Sequence, residues 1–245
     1  MKRILVGRRP VLEALRASPQ SISVIYLDAA DKAAMREIDD EARKRDVRVE
    51  ERDGAELEAL ATGLRHQGAV AITGEFSYLD LDTLLRKLPA ERALIVALDE
   101  VTDPHNFGAI VRSAVAFGAD GILTLKHRAA PVTPVVVRAS AGATEHAQIA
   151  RVTNLAQTLD VLAERGMEIV GLDMDGDLLI EDLEVELGGL VLVVGSEGRG
   201  LRRLTRERCT RIASITMPGP IASLNASVAA GIAIHHASRA RTRTL

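Results

Sequence analysis

Three stretches of the chain hold residue types whose spacing suits chemistry. The first, DPHNFGAIVRSAVAFG, runs from Asp103 to Gly118 and reads as the start of a helix. At about 100° per residue, Phe107, Ile110, Val111, Val115 and Phe117 cover a broad apolar arc, while Gly108, Arg112 and Ala116 stack one turn apart elsewhere. Arg112 therefore rises from a strip of small residues that would let a backbone, subunit or ligand come close. Its guanidinium offers a planar fork of donors to a phosphate or carboxylate. The plain alternative is a solvated surface arginine.

The second stretch, LVLVVGSEGRGL, is an apolar strand opening into a turn with Gly195, Gly198 and Gly200. Glycines at a strand's carboxyl end let backbone N–H groups approach a ligand, and in open α/β sheets ligands sit at that end. The order G-x-x-G-x-G is not the dinucleotide fingerprint, and no Gly-Lys-Ser/Thr follows to make a phosphate-binding P-loop. A nucleophile elbow is excluded because Val194 stands two residues before Ser196. The third stretch, SITMPGPIASLNASVAAGIAIHHA, carries a strand through a Pro-Gly-Pro loop into an alanine-rich helix. Ser223 is the natural N-cap there, with the helix beginning near Leu224, which leaves Asn225 without a capping role.

These loops need a scaffold to hold them. With 245 residues and 47% hydrophobic content, the chain can build one large core or two small ones. Residues 1–76 alternate short strand-like runs (ILVG, SVIYL, VRVE, GAVAIT) with helical patterns at Val11–Ala17, Lys32–Lys44 and Ala55–Ala61, a small α/β domain. The charged amphipathic stretch at 77–91 reads as a linker. Residues 92–245 repeat strand then helix, and their apolar runs without alternation imply strands buried on both faces of a parallel sheet.

Charge does not announce a partner. The net charge is −3, and residues 1–74 hold 13 Lys/Arg against 13 Asp/Glu. Local basic clusters remain as phosphate contacts or solvated faces: Arg8 with Arg9, Arg43–Arg45 with Arg48, Arg202-Arg203 with Arg206, and Arg239 to Arg243. Three Phe, two Tyr and no Trp argue against base-stacking platforms. The single cysteine, Cys209, precludes an intramolecular disulfide or a cysteine zinc cluster and reads as a small core residue. His235 and His236 point about 100° apart on a helix and make no metal site; no metal is expected. No long apolar run suggests a membrane span, and the N-terminal pattern, broken by Arg8, Arg9 and Glu13, is unlike a signal-peptide core. A soluble, cytoplasmic protein is expected.

Taken together, the three stretches resemble the SpoU-type ribose 2′-O-methyltransferases of the SPOUT superfamily. The first motif is matched by Asp103, Pro104, Asn106, Gly108, Ala109, Ile110 and Arg112, and the second by Gly195, Glu197, Gly198 and Gly200. The third is matched by Met217, Gly219, Ser223, Leu224, Asn225, Ser227, Val228 and Ala229. The segment APVTPVVVRASAGATEHAQIARVTNLAQTL, together with GRRPVLEAL and RHQGAVAIT, is similar to the bacterial subgroup that methylates a guanosine of 23S rRNA. The family usually has proline where this chain has Thr216.

The resemblance implies a two-domain α/β protein: a small N-terminal RNA-binding domain and a C-terminal parallel-sheet domain closed by a trefoil knot. It implies S-adenosylmethionine as methyl donor, a homodimer and an RNA substrate, most like 23S rRNA. Base rates argue against knots, so that expectation rests on likeness alone. Gly195, Ile215, Met217 and Leu224 would hold the cofactor, and Asn106, Arg112, Glu197, Ser223 and Asn225 would line the reacting end. A guanidinium gives up its proton very reluctantly, so Arg112 is read first as an anchor for phosphate and hydroxyl, with deprotonation of the hydroxyl as the alternative. His105 stands beside this set. A tRNA ribose methyltransferase and a non-catalytic RNA-binding or ribosome-assembly protein are the alternatives.

Overall fold

A computed structural model describes residues 2–221 and 223–242, with the side chain of Thr242 left aside. Two compact units emerge: the chain up to Ser77 with Pro131–His146, and the remainder from Tyr78 to Ala130 and from Ala147 onward.

The first unit begins with β1 (Arg3–Val6), α1 (Arg8–Ala17), β2 (Ile22–Asp28), α2 (Lys32–Lys44), β3 (Val49–Arg52), α3 (Gly54–Ala61) and β4 (Ala69–Thr73). Its sheet runs β1-β4-β2-β3, antiparallel except for the β2–β3 pair. Strand β3 starts two residues later than the VRVE run because pairing of Ile25–Asp28 with Val49–Arg52 sets its register. Asp53 caps α3 with a full capping box, accepting from the Glu56 amide while Glu56 reaches back. Leu5, Val11, Leu15, Ile25 and Ile38 form the core, joined by Val137 from the later insertion.

The second unit opens with α4 (Leu81–Lys87) inside the stretch read from sequence as a linker. Asp80 caps this helix, and Leu84 is fully buried among Ile95, Leu123 and Ala150. Burying one such leucine stabilises by about 1.5–3 kcal/mol, enough to hold a short charged helix in the fold. Next come β5 (Leu94–Leu98), α5 (Pro104–Ala116) and β6 (Gly121–Leu125). Helix α6 (Pro134–Ala139) belongs to the first unit, and β7 (Ile149–Val152) returns the chain to the second. The unit ends with α7 (Leu155–Glu164), β8 (Glu168–Leu172), β9 (Leu178–Leu179), β10 (Leu190–Val194), α8 (Arg203–Arg206), β11 (Arg211–Ser214) and α9 (Ala226–Thr242).

The seven strands are ordered β7-β6-β5-β10-β8-β11-β9 and all pairs are parallel. Strands β5, β6 and β10 are buried at every position, as unalternating apolar runs require. Strand β10 enters late in sequence yet lies centrally between β5 and β8. In register, Val194 stands beside Leu98 on one side and Leu172 on the other. The residues after each, Gly195, Asp99 and Asp173, therefore emerge together at the sheet's carboxyl edge.

Candidate active site

The glycine turn is shaped by lack of room. A Cβ on Gly195 would lie 2.2 Å from the carbonyl carbon of Gly200, and Gly198 and Gly200 adopt φ of 78° and 63°. No larger residue fits the first, and the other two occupy backbone space that side chains disfavour. Reciprocal bonds close the turn: Ser196 N donates to Gly200 O at 3.1 Å and Gly200 N to Ser196 O at 3.0 Å.

Asn106 ties the three motifs together. Asp103 caps α5 and accepts from the Asn106 amide at 2.7 Å, which fixes the buried Asn106 in the first turn. Its side-chain Nδ2 donates to Glu197 Oε2 at 3.0 Å, and its Oδ1 accepts from Asn225 Nδ2 at 3.0 Å. Asn225 Oδ1 in turn accepts from the Ser227 amide at 2.9 Å and hydroxyl at 2.6 Å. Asn225 is thus the cap of α9, correcting the expectation for Ser223: the helix starts at Ala226, and Ser223 lies exposed in the preceding loop.

A cavity of about 520 Å³ opens at this edge. Gly195, Glu197, Ile215, Met217, Ser223, Leu224 and Asn225 all line it, with Asp173 and Ala229 beside them. Asn106 reaches it through Glu197 and Asn225. Ile215 and Met217 face the cavity while Thr216 is exposed between them, so the departure from the family's proline falls on the solvent side. A second cavity of about 800 Å³ lies between Arg92 and the 181–188 segment and holds none of the motif residues.

Arg112 is not brought to this cavity. It is exposed on α5, six residues beyond Asn106, with no hydrogen bond or ion pair among the described residues. Six residues along a helix carry it about 9 Å onward and roughly 120° around from Asn106. Close packing of the small-residue strip is partly met within the chain: Gly108 is buried, and α5 packs on α9, where a Cβ on Gly231 would lie 3.4 Å from Ser113 Oγ. Ala116 stays exposed.

Two residues that sequence reading missed hold the site's base. Asp99, with no exposed surface, accepts from Arg202 Nε at 2.6 Å and Arg202 N at 2.9 Å. Arg206 donates to Asp173 Oδ2 at 2.9 Å. The signal available in sequence was an aspartate directly after each apolar strand. The basic clusters also sort themselves: Arg43, Lys44, Arg45 and Arg48 pair with Asp39, Glu41 and Glu50. Arg241, read as part of a solvated tail, pairs with Asp120 at 2.6 Å and donates to Gly118 O at 2.7 Å; Arg243 lies outside the described residues. His105 is exposed, and the His235 ring sits edge-on to Phe117 at 5.1 Å. Burial pushes the Cys209 thiol up to about 12, with nearby Arg206 acting in the opposite direction. Among the described residues no group of three His, Cys, Asp or Glu is placed to hold a metal, and no helix is long and apolar enough to cross a membrane.

The SpoU rRNA methylase family model matches residues 93–235, which contain all three motif loops. The chain belongs to the SpoU rRNA methylase family. Residues 4–79 match the RNA 2′-O ribose methyltransferase substrate-binding domain model. An uncharacterized tRNA/rRNA methyltransferase of Mycolicibacterium vanbaalenii is 43% identical over 97% of this chain and 76% of its own. The SpoU methyltransferase AviRb of Streptomyces viridochromogenes, solved with AdoMet, is 29% identical with a TM-score of 0.79, covering 98% of this chain and 90% of that one. A TrmH/SpoU tRNA modifying enzyme of A. aeolicus is 29% identical with a TM-score of 0.56 over 66% of this chain and 84% of its own. The mixed N-terminal sheet and all-parallel seven-stranded C-terminal sheet are the architecture typical of SpoU and other SPOUT proteins.

Proposed function

We propose that this SpoU protein transfers a methyl group from S-adenosylmethionine to a ribose 2′-hydroxyl of RNA, with a guanosine of 23S rRNA as the preferred target. The observation that carries the reading is the Glu197–Asn106–Asn225 chain of hydrogen bonds, which joins all three motifs at the rim of one cavity. The cavity suits the donor. Its volume of about 520 Å³ lies within the usual range for cofactor sites, roughly 300–1,000 Å³. Leu172, Val194, Ile215, Met217 and Leu224 supply apolar walls for an adenine. The glycine turn brings backbone groups to the rim, and Glu197 offers a carboxylate.

When bound, S-adenosylmethionine supplies an electrophilic methyl carbon on a sulfonium. The protein's part is to align the ribose oxygen with that carbon, since in-line displacement depends on position above all. Asn106 fixes Glu197 and Asn225 relative to each other, so neither has to reorganise when substrate arrives. Ser223, in the exposed loop, is free to meet the ribose. Arg112, exposed and away from the cavity of its own chain, is left to hold a phosphate of the RNA by charge-assisted bonds.

The reading extends to a cytoplasmic homodimer with a trefoil-knotted C-terminal domain. A tRNA target is the second reading, favoured by the likeness to the A. aeolicus tRNA modifying enzyme. Mapping 2′-O-methyl groups in rRNA and tRNA from cells with and without this protein separates the two. Loss of one ribose methyl in 23S rRNA supports the first; a change confined to tRNA overturns it. Sedimentation at micromolar concentration tests the dimer, and a fully active monomer would contradict it.

A further inference from the structure

We propose that Arg202 and Arg206 are positioning residues that clamp the glycine turn 195–201 to the two strands flanking β10, an inference that rests on reading the adjoining cavity as the cofactor site. The turn leaves β10 and leads into α8, and an arginine from its far end reaches each neighbouring strand. On the β5 side one residue holds both ends. The Asp99 amide donates to Val194 O at 2.8 Å, just before the turn, while its carboxylate takes Arg202 Nε and N just after it. Arg202 also lies 3.2 Å from Glu100. On the β8 side Arg206 binds Asp173 at 2.9 Å and Asp175 at 3.0 Å, and the other oxygen of Asp173 accepts from the Met174 amide at 2.7 Å.

Sequence alone left this basic cluster between phosphate contact and solvated face. The structure separates its members. Arg203, between the two clamps, is 77% exposed and among the described residues pairs only along its own turn with Glu207, whereas Arg202 and Arg206 are about one-third exposed and spent on carboxylates of the sheet edge. A buried carboxylate such as Asp99 is tolerated only with its cation in place, so the pair has one stable arrangement, and that arrangement fixes the turn. Within the turn, the reciprocal Ser196–Gly200 bonds then suffice to aim Glu197 at Asn106. Asp173 also lines the cavity, so the second clamp sets part of its wall directly.

The test uses the full-length protein with Arg202→Met, Arg206→Met and Asp99→Asn, and with Arg203→Met as the control. Two readouts are taken well below each melting midpoint: amide hydrogen exchange without ligand, and calorimetric titration with S-adenosylmethionine. The clamp variants should exchange at least about tenfold faster at Ser196–Leu201 while β10 itself stays protected, which a general loss of stability would not produce. Their affinity for S-adenosylmethionine should fall at least about tenfold with RNA affinity unchanged. Arg202→Lys should not restore it, because a lysine lacks the Nε donor, and Arg203→Met should match the parent. Asp99→Asn keeps the shape of the pair and serves where a methionine variant fails to fold. Unchanged exchange of the turn in folded variants overturns the clamp. Faster exchange in a protein whose parent binds no S-adenosylmethionine keeps the clamp and removes the cofactor assignment instead.

Discussion

Asn106 donates to Glu197 across 91 positions of chain, and the two meet at 3.0 Å. The contact joins the first turn of one helix to the tip of a glycine turn leaving the central strand. Asn106→Ala leaves the Glu197 carboxylate and the Asn225 amide without their partner. The expected loss is about 1–3 kcal/mol of stability, with methyl transfer reduced more than tenfold. Asn106→Asp sets a second carboxylate against Glu197, and like charges raise one of the two pKa values. Its activity should therefore improve as pH falls. A pH–rate profile of Asn106→Asp parallel to that of the parent would count against the contact's role.

Arg112 is exposed and unpaired among the described residues, so its removal leaves no buried group stranded. Arg112→Ala should melt within about 0.5 kcal/mol of the parent and titrate normally with S-adenosylmethionine, yet lose single-turnover transfer by orders of magnitude. Arg112→Lys should recover little, since an ammonium cannot reproduce the planar fork. Near-parental transfer by Arg112→Ala would return this residue to the role of surface charge.

Much of the fold was legible because it rests on apolar runs and turn residues. LIVAL, GILTL and LVLVV are strands buried throughout, as their lack of alternation requires. The chain segment 77–91 was not legible: its charges suggest a linker, but Leu84 packs into the sheet and overrides them. The insertion of Pro131–His146 into the first unit also left no mark, because a return of the chain to an earlier core is a tertiary event. At the candidate site, motif order pointed to Glu197, Asn106 and Asn225, which the structure links by hydrogen bonds, while the cap of α9 fell two residues later than propensity placed it. Arg112 was singled out by spacing, but spacing along one helix says nothing of which cavity a side chain meets.

Basic residues on the first unit divide by their partners. Arg43 and Lys44 of α2 and Arg52 of β3 face carboxylates, and Arg8 lies 3.3 Å from Asp31, whereas Arg138 donates to Arg65 O and the Arg65 guanidinium has no partner among the described residues. Charge that is not neutralised is available to RNA phosphates. Arg65→Ala should weaken RNA binding and lower the salt slope of log K by about 0.7–0.9 for a lost phosphate contact. Arg43→Ala should leave the slope unchanged. Filter binding across a salt series checks both, and equal effects of the two variants would refute the distinction.

Cys209 gives a pH signature. Burial raises its thiol from an ordinary 9.0 to about 12 in the folded chain. Between those values the unfolded chain has released a proton that the folded one keeps, so stability intact below pH 9 falls as pH rises toward 12, by at most roughly 1.4 kcal/mol per pH unit. Cys209→Ser should flatten that decline in urea titrations. At neutral pH the folded parent should react with thiol reagents at least about tenfold more slowly than the urea-unfolded chain. A folded thiol that reacts as fast as the unfolded one would contradict its burial.

Ribose methylation is tested most directly by transfer of labelled methyl from S-adenosylmethionine to a 23S rRNA fragment, followed by alkaline hydrolysis. A methyl on the 2′-oxygen removes the nucleophile that cleaves the adjacent phosphodiester. Label is expected in an alkali-resistant dinucleotide, at one guanosine, and absent with Arg112→Ala. Label released in alkali-sensitive mononucleotides would place the methyl on a base, and no label on any RNA would deny the transfer; either result contradicts the central claim.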